Sequence, residues 1–281
     1  MRERRLVQCD VFSEIPLKGN GLAVVVEGTG LDDQVMQDFA AWTNLSETTY
    51  LLPPTHPDAD YKLRIFTPMR ELAFAGHPTL GSCAAWLHAG GVPKRGGLVV
   101  QECNIGNVTI DNRGPLPGFV APPTRINPMP ADLQAQVLAA LGIAPEMLKS
   151  AVILDNGSLW HLLELDEAAA VLAVSAAKVA TLPGLGIGLL AASPANAASQ
   201  FDIRMLSERT PGFEDPITGS LNAAVGMWLL SHGRLAQPTI IAQGVKVARI
   251  GQVHLLPGAQ GSGQVLVAGR THILIDGKVR L

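Results

Sequence analysis

The sequence runs to 281 residues with a formal charge near −3, and it is 47% hydrophobic but only 16% charged. That balance supplies a real core and excludes a disordered tail or a basic nucleic-acid surface; the clusters Arg2 to Arg5 and Lys94-Arg95 are too short to make one. The length exceeds a usual single domain, so two domains are expected.

From the N-terminus, MRERRLVQCDVF has a basic start but passes straight into alternation (Val7, Cys9, Val11), with no apolar segment and cleavage site of an export signal. PLKGNG turns the chain and LAVVV resumes it, which predicts a hairpin or two adjacent strands with Gly19, Asn20 and Gly21 in the turn. In LDDQVMQDFAAWTNLSETTYLL, Val35, Phe39 and Trp42 fall at helical intervals, Asp32 or Asp33 supplies a cap, and ETTYLL reads as a strand. DYKLRIFTP puts Tyr61, Leu63 and Ile65 on one face of another strand. PTLGSCAAWLHAGG predicts a helix of small residues stopped at Gly90-Gly91, followed by strands at GGLVVQEC and NVTIDN.

Six prolines and two glycines in residues 113–130 predict a linker without regular structure. Beyond it lie a helix at ADLQAQVLAALG, a hairpin turning at Asn156-Gly157, a helix at DEAAAVLAVSAAKVA, and strands at GIGLLAAS and DIRMLS. The 168–192 region is broken by Lys178, Pro183 and glycines, so it is not a membrane span of about 20 apolar residues. The chain closes in short alternating runs from TIIAQ to KVRL. The class is α+β, with domains at 1–118 and 130–281, the extreme C-terminal strand being free to pack on the first. No Gly-x-Gly-x-x-Gly follows a strand, which disfavours nucleotide binding. Cys9, Cys83 and Cys103 form no Cys-x-x-Cys pair and read as buried hydrophobes in a reducing, cytoplasmic setting.

HPTLGSCAAWL and DPITGSLNAAVGMWL read alike: His77, Pro78, Gly81 and Ser82 match Asp215, Pro216, Gly219 and Ser220 at one constant offset. This predicts an internal duplication, two domains of similar topology facing one another. Proline at the first helical position, with glycine baring the next amides, would make each helix tip an anion site for a small carboxylate or a developing enolate. The alternative is that His77 and Asp215 simply cap their helices. Glu47, after Ser46 where a helix gives way to an apolar strand, is a candidate general base; the alternative is an exposed strand-edge glutamate.

DVFSEIPLKGNGLAVV, NLSETTYLL, LRIFTPMRELAFAGHPTLGS and FEDPITGS together resemble the phenazine-biosynthesis PhzF-like family, nearly end to end. Gly21 departs from that family's Gly-Asn-Pro. The resemblance implies a diaminopimelate epimerase-like fold: two topologically similar domains, each a curled, mostly antiparallel sheet around a central helix. It implies Glu47 as catalytic acid/base, His77 and Asp215 as polar partners, and Ser46, Gly76, Gly219 and Ser220 as substrate contacts. It further implies a homodimer without metal or organic cofactor, acting on a small carboxylate-bearing substrate, with a dihydro-hydroxyanthranilate as one candidate. The expected reaction moves a proton between carbons. A two-cysteine epimerase is disfavoured because neither repeated loop begins with cysteine. The alternatives are an amino-acid epimerase or racemase of the same fold and, from other classes, a non-catalytic carboxylate binder or a metal-assisted hydrolase drawing on the seven scattered histidines.

Overall fold

A computed structural model of the chain describes residues 1–259 and 261–281. Contacts divide it into two units, Met1–Val120 with Ala268–Leu281, and Ala121–Val267.

In the first unit, alternation makes β1 (Glu3–Val11) and β2 (Asn20–Val25) an antiparallel pair, with Val11 opposite Asn20. Helix α1 (Asp33–Thr43) then crosses over, so β3 (Glu47–Leu52) runs parallel to β2. Asp32 caps α1 by accepting from the Val35 amide at 2.8 Å, and Asn44, in the left-handed region at φ 54°, ends it. The antiparallel β4 (Tyr61–Phe66) buries Tyr61, Leu63 and Ile65 as its alternation requires. A short β5 (Glu71–Leu72) pairs with β4 and leads into α2 (Gly76–His88). The chain returns as β6 (Leu98–Cys103) parallel to β4, then β7 (Gly106–Asp111) and β8 (Gly118–Val120), each antiparallel to the last.

The second unit opens with β9 (Arg125–Pro128) and α3 (Ala131–Leu141), and β9 pairs with β10 (Leu148–Asp155). Thereafter the order of the first unit repeats. β10 and β11 (Leu159–Leu165) form an antiparallel hairpin, α4 (Ala168–Ala173) crosses over, and β12 (Gly186–Ala192) lies parallel to β11. Antiparallel β13 (Phe201–Leu206) and short β14 (Glu214–Asp215) precede α5 (Gly219–Ser231). β15 (Thr239–Gln243) returns parallel to β13, and β16 (Gly251–Pro257) is antiparallel to it. After β17 (Val265–Ala268), β18 (Thr271–Arg280) lies antiparallel along β1.

The two long helices are the cores of their units. α2 touches β1, β2, β3, β6, β8 and β18, and α5 is buried on nearly every side. Small residues let the strands close in: a Cβ at Gly81 would stand 2.5 Å from Leu22 Cδ2. Gly81 therefore serves packing, and not the baring of helix-tip amides that its motif suggested.

Several expectations are corrected. Met36, Phe39 and Ala40 form the buried stripe of α1, while Trp42 is 80% exposed and stacks on Phe39 from outside, ring centroids 6.0 Å apart. The proline-rich 113–130 stretch carries β8, which itself holds no proline, and the short β9, which has proline only at its last residue. The helix expected through residues 166–180 breaks after Ala173, where Val174 and Ser175 turn extended, and resumes as a 3-10 helix over Ala176–Thr181. A buried guanidinium, Arg204, takes the carbonyls of Val171 and Val174 at 2.9 and 2.6 Å, which satisfies the broken end. Pro78 is the third residue of α2, and Pro216 lies ahead of α5, so neither occupies the first helical position. Among the described residues, no helix is long and apolar enough to cross a membrane.

Candidate active site

Glu47 is the first residue of β3, three positions past the left-handed Asn44, with its side chain 14% exposed. His77, the second residue of α2, is 4% exposed. Glu47 Oε2 and His77 Nε2 approach to 3.2 Å. The separation is that of an ion pair, but the ring N–H is not aligned for a hydrogen bond to that oxygen. Charge settles the nature of the contact: burial pulls the His77 pKa down to about 3, against a smaller opposing effect of a hydrogen bond with the Gly21 backbone. The imidazole is neutral near pH 7, so the Glu47 carboxyl faces an uncharged ring. Asn20 Nδ2 stands 3.4 Å from His77 Nδ1 on the ring's other side.

The sequence builds this arrangement with side chains that strap β3 to α2. Thr49 and Ser82 of α2 share a buried hydroxyl contact at 2.9 Å, while a half-buried one at 2.8 Å ties Thr48 back to Thr43, the last residue of α1. Ser46 lies in the connection before β3, and Gly76 opens α2. No side chain caps α2: its N-cap is Ala75, whose carbonyl takes both the amide and the hydroxyl of Thr79. His77 is inside the helix, so it is not a cap. The amides of the first turn have no intrahelical carbonyls to bond, and Pro78 contributes none.

In the second unit, Asp215 ends β14, 8% exposed. It does not cap α5, whose N-cap is Thr218. Instead Thr218 Oγ1 donates to Asp215 Oδ2 at 2.5 Å. Gln243 completes the frame: its Oε1 accepts from the Thr218 amide and from Asn222 Nδ2, while its Nε2 donates to the Asp215 carbonyl and Thr218 Oγ1. Gly219 and Ser220 open α5, and Asn156 Nδ2 donates to the Ser220 carbonyl at 2.8 Å.

The duplication is real but its register differs from the sequence motif. α2 and α5 each span 13 residues, so Gly76 corresponds to Gly219 and His77 to Ser220. Asp215 corresponds to Leu72, both ending the short strand beside β4 or β13. Leu22 faces Glu47 across the parallel pair of the first unit, and Trp160 faces Gly186 in the second, so Gly186 stands where Glu47 does. The second unit therefore has neither a carboxylate nor an imidazole at the equivalent places. Sequence reading passed over Asn20 and Asn156, seen only as turn residues, and Thr218, Asn222 and Gln243, which carried no local signal. Among the described residues, no group of three or more His, Cys, Asp and Glu side chains is placed to hold a metal ion.

A profile of the family described as phenazine biosynthesis-like protein matches residues 9–277. The chain belongs to that family. The phenazine biosynthesis-like relatives include antisense-enhancing sequence 1 of Schizosaccharomyces pombe, 35% identical, with 99% of each chain covered. The trans-2,3-dihydro-3-hydroxyanthranilate isomerase of Pseudomonas aeruginosa is 30% identical, again over 99% of each chain. In fold, the crystal structure of a phenazine biosynthesis protein of the PhzF family from Bacillus anthracis superposes with a TM-score of 0.82 at 19% identity, over the whole of both chains. The family is thus one with isomerase members, on a mixed α+β sheet fold.

Proposed function

We propose that the chain is an isomerase that moves a proton between two carbons of a small conjugated or cyclic carboxylic acid, with Glu47 as the sole proton carrier. The observation that carries this reading is the one-sided placement of Glu47 against neutral His77, with Gly186 and Ser220 at the matching positions of the other unit. Glu47 takes a proton from carbon and becomes a carboxylic acid. The electron pair passes into the adjoining diene or carbonyl, and the same proton returns to another carbon as the carboxylate is restored. A neutral ring beside Oε2 lets Glu47 gain and lose a proton without the cost of separating a salt bridge. Within the first unit the uncapped tip of α2, with Ser46, is assigned to a carboxylate; within the second, the uncapped tip of α5, with Ser220, is assigned to the same kind of group and Asp215 to polar substituents.

A two-thiol mechanism fits poorly, because Cys9, Cys83 and Cys103 are all buried and burial pushes the thiols of Cys9 and Cys83 up to about 12. A single glutamate shuttle calls for no metal or organic cofactor, and by family likeness the working form is a homodimer.

The first substrate to try is trans-2,3-dihydro-3-hydroxyanthranilate, which names the reaction of the Pseudomonas relative. Turnover in heavy water, followed by mass and NMR, is expected to shift the double bonds and to depend on Glu47. An active Glu47→Gln variant overturns the assignment, and binding without turnover makes the protein a carboxylate binder.

A further inference from the structure

Each unit contains a buried or half-buried arginine that joins its crossover helix to the short strand before its long helix. In the first unit Arg64, on β4, grips Glu71, the first residue of β5, side-on: Nε to Oε1 at 2.8 Å and Nη2 to Oε2 at 2.7 Å. Its remaining nitrogen, Nη1, reaches Asp33 at the start of α1 at 2.5 Å. In the second unit Arg204, at the same place on β13, grips Glu214, the first residue of β14, in the same two-pronged manner at 3.0 and 2.6 Å. Its Nη1 goes to the Val171 and Val174 carbonyls at the end of α4. The setting differs: Arg204 and Glu214 are each 2% exposed, Arg64 and Glu71 19% and 27%.

The gripped glutamates stand in the same relation to the candidate chemistry. Glu71 lies five residues before Gly76 and Glu214 five before Gly219, and Glu214 is the immediate neighbour of Asp215. A two-pronged guanidinium–carboxylate pair fixes orientation as well as distance, which a lysine cannot reproduce. We propose that Arg64–Glu71 and Arg204–Glu214 are paired positioning devices. The first sets His77 against Glu47; the second sets Asp215 and the Gly219-Ser220 amides. The inference rests on the isomerase reading for its kinetic part, but its structural part is readable without turnover.

The test uses the full chain carrying Arg64→Lys, Arg204→Lys or Glu47→Gln, with circular dichroism confirming that each variant folds. Imidazole nitrogen-15 shifts of His77, assigned with His77→Gln, report the Glu47 contact directly. Amide hydrogen exchange at Gly219 and Ser220 reports the other loop. Arg64→Lys is expected to move the His77 shifts and leave the Gly219 and Ser220 protection alone, and Arg204→Lys to do the reverse. With trans-2,3-dihydro-3-hydroxyanthranilate as probe, Arg64→Lys is expected to lower kcat by about 10- to 100-fold with KM little changed, and Arg204→Lys to act mainly on KM. Unchanged His77 shifts and loop protection in the two lysine variants, with only a lower melting temperature, would mean that the pairs merely hold the fold. Active Glu47→Gln with the crossed shifts intact would instead sink the isomerase reading and leave the positioning inference standing.

Discussion

The two units share an order of strands and helices but not a chemistry. Where the first presents Glu47 at the start of β3 and His77 at the second turn-forming position of α2, the second presents Gly186 and Ser220. A duplicated frame with a carboxyl and an imidazole side by side in one copy suits the proposed reaction, whose proton leaves and returns through one group. The second copy has developed differently: its polar residues, Asp215, Thr218, Asn222 and Gln243, bond chiefly to one another. That loop is cross-braced by its own side chains, while His77 in the first unit is held by burial, with Asn20 Nδ2 at 3.4 Å from its Nδ1.

The contrast is broken most sharply at Glu47. Glu47→Gln keeps the shape of the side chain and removes its basicity, so kcat is expected to fall by about 10²- to 10⁴-fold while calorimetry finds the substrate bound as before. Next comes the difference between the forks. Arg204→Ala strands a buried carboxylate and two carbonyls, an expected loss of about 3–5 kcal/mol in urea unfolding. Arg64→Ala, with solvent at hand, is expected to cost about 1 kcal/mol. A smaller effect separates the central helices. Gly81→Ala drives a methyl to 2.5 Å from Leu22 and should cost about 1–3 kcal/mol; Gly226→Ala, whose closest neighbour is Val265 at 3.0 Å, should cost less.

The subtlest contrast is in pH. His77 has a pKa near 3 in the folded chain and an ordinary one when unfolded, so the unfolded chain binds the extra proton between those values. The stability drawn from keeping the ring neutral is complete above the ordinary histidine pKa. It drains as pH falls toward 3, by at most about 1.4 kcal/mol per pH unit. His77→Gln should flatten that acid slope. Burial also lowers the pKa of His161 in the second unit, and His161→Gln should flatten the slope less, since the shift there is the smaller one.

Local rules made much of the frame legible. The alternation of Tyr61, Leu63 and Ile65, the Asp32 cap, and the Asn156-Gly157 turn, where Gly157 has φ 97°, depend on near neighbours alone. Glu47 stood out because a helix end and an apolar strand meet beside it. What stayed hidden depends on distant partners. The break at Val174 makes sense only with Arg204, far along the chain, waiting for its carbonyl. Trp42 satisfies helical spacing, yet the sheet lies under Met36, Phe39 and Ala40. The proline motif suggested one register for the duplication and the strands another, because the prolines sit at different depths: Pro78 within α2, Pro216 before α5.

The pairing of β18 along β1, from Arg280 opposite Glu3 to Thr271 opposite Val11, sets an order for synthesis. A ribosome delivers the segment with Glu47 and His77 early, yet its sheet lacks a neighbouring strand until residue 280 has emerged. The interval exposes one flank of β1 to any strand that passes, including that of another nascent copy. The stretch that bears Glu47 and His77 is made early and closed late.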